Sequence, residues 1–165
     1  MKIGVPKEIT PGEHRVALVP ESCKKLVAAG IEVAVESGAG SNAYFNDAAF
    51  KEMGAVIQPD ARTLLSEADL ILKLQPPMAH ASGVHEVDMM KSGAMLLTTL
   101  LPTKNLDAVK RLADRGVTAF ATDCIPRITR AQSMDTLSSM SNIGGYKAVL
   151  VAANELPKYF PMFMT

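Results

Sequence analysis

The sequence predicts an α/β protein, a parallel sheet with helices on both faces followed by a long C-terminal helix. Three observations carry this reading. Short apolar runs alternate with amphipathic stretches through residues 1–122. Those runs are rich in Val, Ile and Leu without strict in–out alternation, as strands covered on both faces require. From Asp135 the alternation stops and one continuous helical spacing takes over.

Taken in order, residues 3–5 read as the first strand and residues 21–29 as a helix opened by Pro20 and closed by Gly30. Proline suits a first helical turn, and glycine suits the left-handed position just past the last. Residues 31–36 form the next strand, 47–53 a helix closed by Gly54, and 55–58 another strand. A helix over 61–67 leads into 70–74, a strongly apolar strand stopped by Pro76 and Pro77. Residues 95–100 then read as strand, 106–115 as helix and 117–122 as strand. Strands joined by helices in this way make the sheet Rossmann-like.

Asp135 is a good N-cap for the final helix, because its carboxylate can accept from the first free amides. Leu137, Met140, Ile143, Lys147, Ala148, Val151 and Ala152 fit one helix running to the neighbourhood of Leu156, where Pro157 intervenes. Gly144 and Gly145 in its middle cost about 1 kcal/mol each relative to Ala. Such a cost implies close packing against another backbone, or a bend. The expected division is therefore residues 1–134 as the α/β domain and 135–165 as a connecting helix with an apolar tail leading to a further domain.

A chain of 165 residues with 48% hydrophobic and 21% charged residues can bury a real core. Seventeen basic residues balance seventeen acidic ones, which leaves no electrostatic case for nucleic acid or an anionic membrane surface. Cys23 and Cys124 are too few and too far apart for a metal-ligand spacing and read as reduced thiols. The N-terminus opens on Met-Lys-Ile-Gly-Val with no signal-like apolar run, and the stretch 94–102 is far short of a membrane span. The chain reads as cytoplasmic.

Several constellations invite chemistry. Gly38-Ala-Gly40-Ser-Asn-Ala43 follows a strand and fits G-x-G-x-x-A, with Asp60 about twenty residues on. Its helix does not open at the second glycine, so an ordinary βα turn is the better reading. Lys7, Glu8, Glu13, His14 and Arg15 form a polar loop after the first strand, and Lys73 ends the apolar strand over 70–74. Arg15 and Lys73 together could hold a carboxylate, or each could pair with nearby acids. His14, His80 and His85 show no H-x-x-x-H or H-E-x-x-H spacing, so no metal is expected. No G-x-S-x-G elbow supports a hydrolase.

The stretch 126–142 is different. Arg127, Arg130, Gln132, Asp135 and several hydroxyls crowd around a helix start, a poor way to build a core. Gln132 offers both a donor and an acceptor, as an amide ligand requires, and Ser138 lies one turn beyond Asp135. A solvated loop with a helix cap is the alternative.

Pro6-Lys7-Glu8, the run Pro11-Gly-Glu-His-Arg-Val-Ala17, Glu36-Ser-Gly-Ala-Gly40, the stretch 126–145 and the tail Phe-Pro-Met-Phe-Met-Thr165 resemble the NAD-binding alpha subunits of proton-translocating NAD(P) transhydrogenases. The wider family includes alanine dehydrogenase. The resemblance spans essentially the whole chain, and Arg-Ala-Gln-Ser-Met-Asp is specific to the transhydrogenase branch. It implies that Arg127, Gln132, Asp135 and Ser138 contact the nicotinamide end of NAD(H). It also implies hydride transfer from NADH to NADP+, with NADP(H) held on a separate component, coupled to proton movement through a membrane domain. Of these residues, Gln132 is expected to position the dihydronicotinamide, so its role is the catalytic one.

The alanine dehydrogenase branch resembles this chain at Arg15 and Lys73, which there would hold a 2-oxo acid. Its catalytic histidine is expected after the strand over 95–100, and no His stands there. The family pattern continues beyond Thr165 into a Gly-rich Rossmann half, so the chain is expected to be one piece of a larger subunit and inactive alone. The resemblance further implies a homodimer, peripheral to the inner membrane through its NADP-binding and membrane partners. A non-catalytic dimerising or regulatory fragment is the remaining alternative.

Overall fold

The computed structural model describes residues 1–159. The apolar tail expected over 160–165 lies outside them. By its contacts the chain divides into two compact units, the first Met1–Cys124 and the second from Ile125 onward.

The first unit is a six-stranded sheet. Its strands are β1 (Lys2–Val5), β2 (Glu32–Glu36), β3 (Val56–Gln58), β4 (Leu70–Leu72), β5 (Met95–Thr98) and β6 (Thr118–Ala121), in the order β3-β2-β1-β4-β5-β6. Every pairing is parallel, with Ile3 opposite Val33 and Leu70, and Leu96 opposite Ile71 and Ala119. The expected fold class, a doubly wound Rossmann-like sheet, is the one observed.

Helices α1 (Pro20–Ala28) and α2 (Asp47–Glu52) cover one face. Cys23 and Phe50 pack there against Ile3, Val5, Val33 and Val35. The other face is covered by α3 (Ala61–Glu67), α4 (Glu86–Met89) and α5 (Leu106–Arg115). Leu64, Leu65, Val87 and Leu112 meet Ala34, Ile71 and Leu96 on that side. Residues one apart in a strand point to opposite faces, which is why Val33 and Ala34 belong to different cores. Gly4 permits the close approach of α3, because a Cβ there would lie 2.8 Å from the Cβ of Ala68 and 2.9 Å from Leu64 Cδ2.

In the first unit the strands expected over 70–74, 95–100 and 117–122 are each shorter than expected, and one short helix is additional. The strand expected over 70–74 ends at Leu72, because the chain turns there into the segment that reaches Pro76. The short helix α4 was not foreseen; it is a single turn whose His85 N-cap accepts from Val87 N–H at 3.2 Å through Nδ1. Four residues are too few for a helical period to register in sequence.

In the second unit, residues Thr129–Met134 form a 3-10 turn and α6 runs over Thr136–Glu155. The single long helix expected from Asp135 is present. The close packing expected at its two glycines is not found among the described residues: nothing lies within 4 Å of a Cβ built at Gly144 or Gly145. No residue of α6 is buried, and Ile143, Tyr146, Val149 and Leu150 are exposed.

Candidate functional site

In this strand order β1 lies between β2 and β4, so the winding direction switches between β1 and β4, and parallel sheets tend to bind ligands outside the strand ends at that point. Lys73 sits there, but its ammonium is fully committed to acids. It donates to Glu86 Oε1 at 2.9 Å and Glu8 Oε2 at 3.1 Å, with all three side chains at most 2% exposed. The remaining carboxylate oxygens accept backbone amides, Glu8 Oε1 from Leu74 at 2.6 Å and Glu86 Oε2 from Met78 at 2.9 Å. Every acid oxygen in the cluster is satisfied, as burial at this depth requires.

Arg15 is also ion-paired. Its Nε donates to Glu13 Oε1 at 2.7 Å and its second terminal nitrogen to Glu13 Oε2 at 2.5 Å. Gln75 Nε2 adds a bond to the same carboxylate at 2.7 Å. The guanidinium holds the Glu13 carboxyl down at about 2. Pairing with nearby acids, the alternative open for both cations in the sequence, is the geometry present. Glu86, the partner of Lys73 from α4, escaped sequence reasoning because its helix did.

The Gly38–Ala43 run is occupied by the chain itself. Asp47 accepts from Gly38 N–H at 2.9 Å and from Ser37 Oγ at 2.7 Å, where a dinucleotide loop would offer its amides to phosphate. A Cβ at Gly40 would lie 2.7 Å from both the Phe45 carbonyl oxygen and the Phe50 ring, so this glycine serves packing. Asp60 caps α3 through Thr63 N–H at 2.9 Å.

The second unit gathers its polar residues differently. Ile128 has an extended backbone (φ −125°, ψ 158°) pinned from both sides, its N–H donating to the Pro126 carbonyl at 3.0 Å and its carbonyl accepting from Ala131 N–H at 2.9 Å. The 3-10 turn over Thr129–Met134 then delivers Gln132 toward the start of α6. Asp135 caps that helix as expected. Its Oδ1 accepts from Ser138 N–H at 2.9 Å and its Oδ2 from Ser138 Oγ at 2.6 Å. These two bonds, with the positive charge of Arg127, hold its carboxyl below the ordinary range.

Arg127, Gln132, Asp135 and Ser138, with Ile128 and Thr129, line one pocket of about 300 Å³. The four residues singled out from sequence therefore come together, whereas Arg15 and Lys73 belong to the other unit. Ile128 and Thr129 were missed; their adjacency to Arg127 was the available signal. Among the described residues, the side chains of Arg127 and Gln132 make no hydrogen bond within the chain. A larger depression of about 470 Å³ lies beside the start of α5, lined by His85, Lys104 and Asn105 among others. It contains none of the residues expected from the sequence to bind a ligand, and Asn105 Nδ2 is spent on the carbonyls of Leu100 and Leu101. The smaller pocket is the better site because its amide and guanidinium are unspent.

A doubly wound parallel domain of this strand order defines an α/β protein of the Rossmann-like class, followed here by a polar loop at a helix start. More narrowly, residues 4–144 match the family model described as alanine dehydrogenase/PNT, N-terminal domain, and the chain belongs to that family. Over its full length it is 49% identical to the first part of the NAD(P) transhydrogenase subunit alpha of Rhodospirillum rubrum, of which it covers 43%. It is 37% identical over 158 residues to alanine dehydrogenase of Halomonas elongata, covering 96% of this chain and 41% of that one. The crystal structure of transhydrogenase from Sinorhizobium meliloti superposes with a TM-score of 0.87 at 40% identity, over 100% of this chain and 48% of that one. The chain thus spans less than half the length of the relatives it matches. No described helix is long and apolar enough to cross a membrane, and no described group of three or more His, Cys, Asp and Glu could hold a metal ion.

Proposed function

We propose that this chain is the N-terminal part of the NAD(H)-binding component of a transhydrogenase, and that the pocket between Arg127 and Ser138 takes the nicotinamide end of NAD(H). One observation carries the reading: four residues of the transhydrogenase-type loop converge on a single pocket in which an amide and a guanidinium are unspent. The donor set fits the group. A carboxamide needs a donor and an acceptor facing it, and Gln132 supplies both. A volume of about 300 Å³ suits a ring and its ribose rather than a whole dinucleotide.

NADH held there would supply the hydride, becoming NAD+, and NADP+ on a partner component would receive it. The chain's own residues have the task of alignment. Gln132 fixes the amide edge of the ring, and Arg127 sets the charge beside it. Asp135, held by Ser138, keeps the turn and the start of α6 in register. No acid or base is needed from the protein, so positioning is the main lever on rate. Coupling to proton translocation belongs to membrane components of the assembly, which place this chain at the cytoplasmic side of the membrane through its partners. A homodimer, and inactivity of the chain without the nucleotide-binding half, belong to the same proposal.

The test is Gln132→Asn in the complete assembly. Hydride transfer, followed by stopped-flow, falls about a hundredfold, the scale of an ångström-level misplacement, while NADH affinity changes little. Normal transfer by that variant would remove Gln132 from the role.

The alanine dehydrogenase reading rests on Arg15 and Lys73. It requires a 2-oxo acid to displace carboxylates that already hold both cations, one of them in a buried cluster.

A further inference from the structure

We propose that His80 is a proton-operated latch: once protonated, its Nε2–H donates to the Glu36 carboxylate and pins the hairpin between β4 and α4 to the end of β2. The device lies wholly in the first unit and does not depend on the nicotinamide pocket.

The chain between β4 and α4 folds back on itself. Ala79 pairs with His85 in an antiparallel bridge. His80 N–H donates to the Val84 carbonyl at 2.9 Å, and Gly83 N–H returns to the His80 carbonyl at 2.8 Å. Gly83 takes the left-handed position that such a turn needs (φ 84°). The base of the hairpin is fastened, because Glu86 N–H donates to the Met78 carbonyl at 3.0 Å and Glu86 Oε2 accepts from Met78 N–H at 2.9 Å. The tip over residues 81–83 is exposed. His80 stands between base and tip, and its Nε2 is shut off from water without a hydrogen-bond partner. A buried polar atom is normally paired, so an unpaired one points to a partner gained in a second state.

The surrounding charges supply that partner. Glu8, Glu36 and Glu86 gather at this end of the sheet around one buried ammonium, that of Lys73, which is held between Glu8 and Glu86. Glu36, at the end of β2, accepts from the backbone N–H of Lys7 at 2.8 Å, and Lys7 itself is exposed. Burial pushes the Glu36 carboxyl up, as does Glu86, while the Lys7 amide and the charges of His80 and Lys7 draw it down. An imidazolium at His80 makes up the missing positive charge and pairs the orphaned nitrogen in the same bond. Closing the remaining gap takes a movement of the hairpin, and that movement is the latch. His85, in the same hairpin, works in the opposite sense. Its Nδ1 accepts from Val87 N–H, so a proton there breaks the cap of α4, and burial and the charge of Arg111 disfavour that proton against the pull of Asp88 and Glu86. Pro77, Met78 and Ala79 of the hairpin line the depression beside α5, so setting the latch fixes one wall of it.

The experiment is amide exchange on the full chain, expressed as protection factors, at about pH 8 and about pH 6, either side of the ordinary histidine value. Protection of the His80 and Gly83 amides is expected to rise about tenfold on acidification, the scale of one charge-assisted hydrogen bond. His80→Gln and Glu36→Gln should each abolish the rise, with the amides of Ile71 and Leu96 reporting that the sheet is intact. Imidazole nitrogen spectra give a second readout, a protonated and hydrogen-bonded Nε2 at about pH 6. Equal protection at both pH values, or a rise that survives either substitution, overturns the latch. Should a variant lose the sheet signals, the nitrogen spectrum of the unsubstituted chain decides, and an Nε2 without a hydrogen bond at the lower pH overturns it.

Discussion

The two units handle their polar groups in opposite ways. In the first, charges are matched inside the chain: Lys73 with Glu8 and Glu86, Arg15 with Glu13, Asp47 with its own loop amides. In the second, Arg127 and Gln132 keep their hydrogen-bonding capacity for something else, and α6 buries none of its residues. Charged groups matched to one another in this way make a rigid scaffold. A region with unspent donors and acceptors facing a pocket is what the proposed binding loop offers. The contrast also redirects attention from the strand ends, where parallel sheets tend to bind ligands, to the loop before α6.

The strongest way to break this contrast is Lys73→Ala. Two buried carboxylates would then lack a counter-charge, at an expected cost of about 3–5 kcal/mol, read from urea unfolding of the chain. Restoring neutrality with Glu8→Gln and Glu86→Gln in that background should return much of the loss. A cost under about 1 kcal/mol would place the cluster with ordinary surface pairs, and the scaffold reading would fail.

A smaller effect sharpens the other side. Asp135→Ala removes both bonds to Ser138 and should loosen the first turn of α6, as the loss of an N-cap does. Amide exchange at the first turn of α6 measures it. In the complete assembly the same change should disturb nicotinamide affinity, whereas Asp60→Ala, an equivalent cap in the first unit, should not.

The smallest effect is a pH dependence. Glu13 is held at about 2, below its ordinary 4.5, chiefly by hydrogen bonds from Arg15. Its contribution to stability is therefore fully present above about 4.5 and lost as pH falls toward about 2. Glu13→Gln should flatten that segment of the acid-denaturation curve. An unchanged curve between those values would mean that the pair contributes nothing to folding.

Much of the fold was legible because its signals are local. Pro20, Gly30 and Gly54 bracket helices at the positions where they are found, and the helix over Leu106–Arg115 is the one expected. The Asp135 cap was legible for the same reason, since a cap and its amide partner lie three residues apart. The helix α4 was not, and with it went Glu86, the second partner of Lys73.

By itself, then, the sequence determined the alternation of strands and helices, the long final helix and the residue types at the loop before it, all set by neighbours a few positions apart. Only the tertiary structure decided what the cations hold. Glu8 and Lys73 are 65 residues apart in the chain, and whether they meet depends on which strands lie side by side in the sheet. It also decided that Asp47 fills the glycine loop and that Ile128 stands among the polar groups of the pocket, because backbone turns aim side chains in ways that spacing alone does not encode.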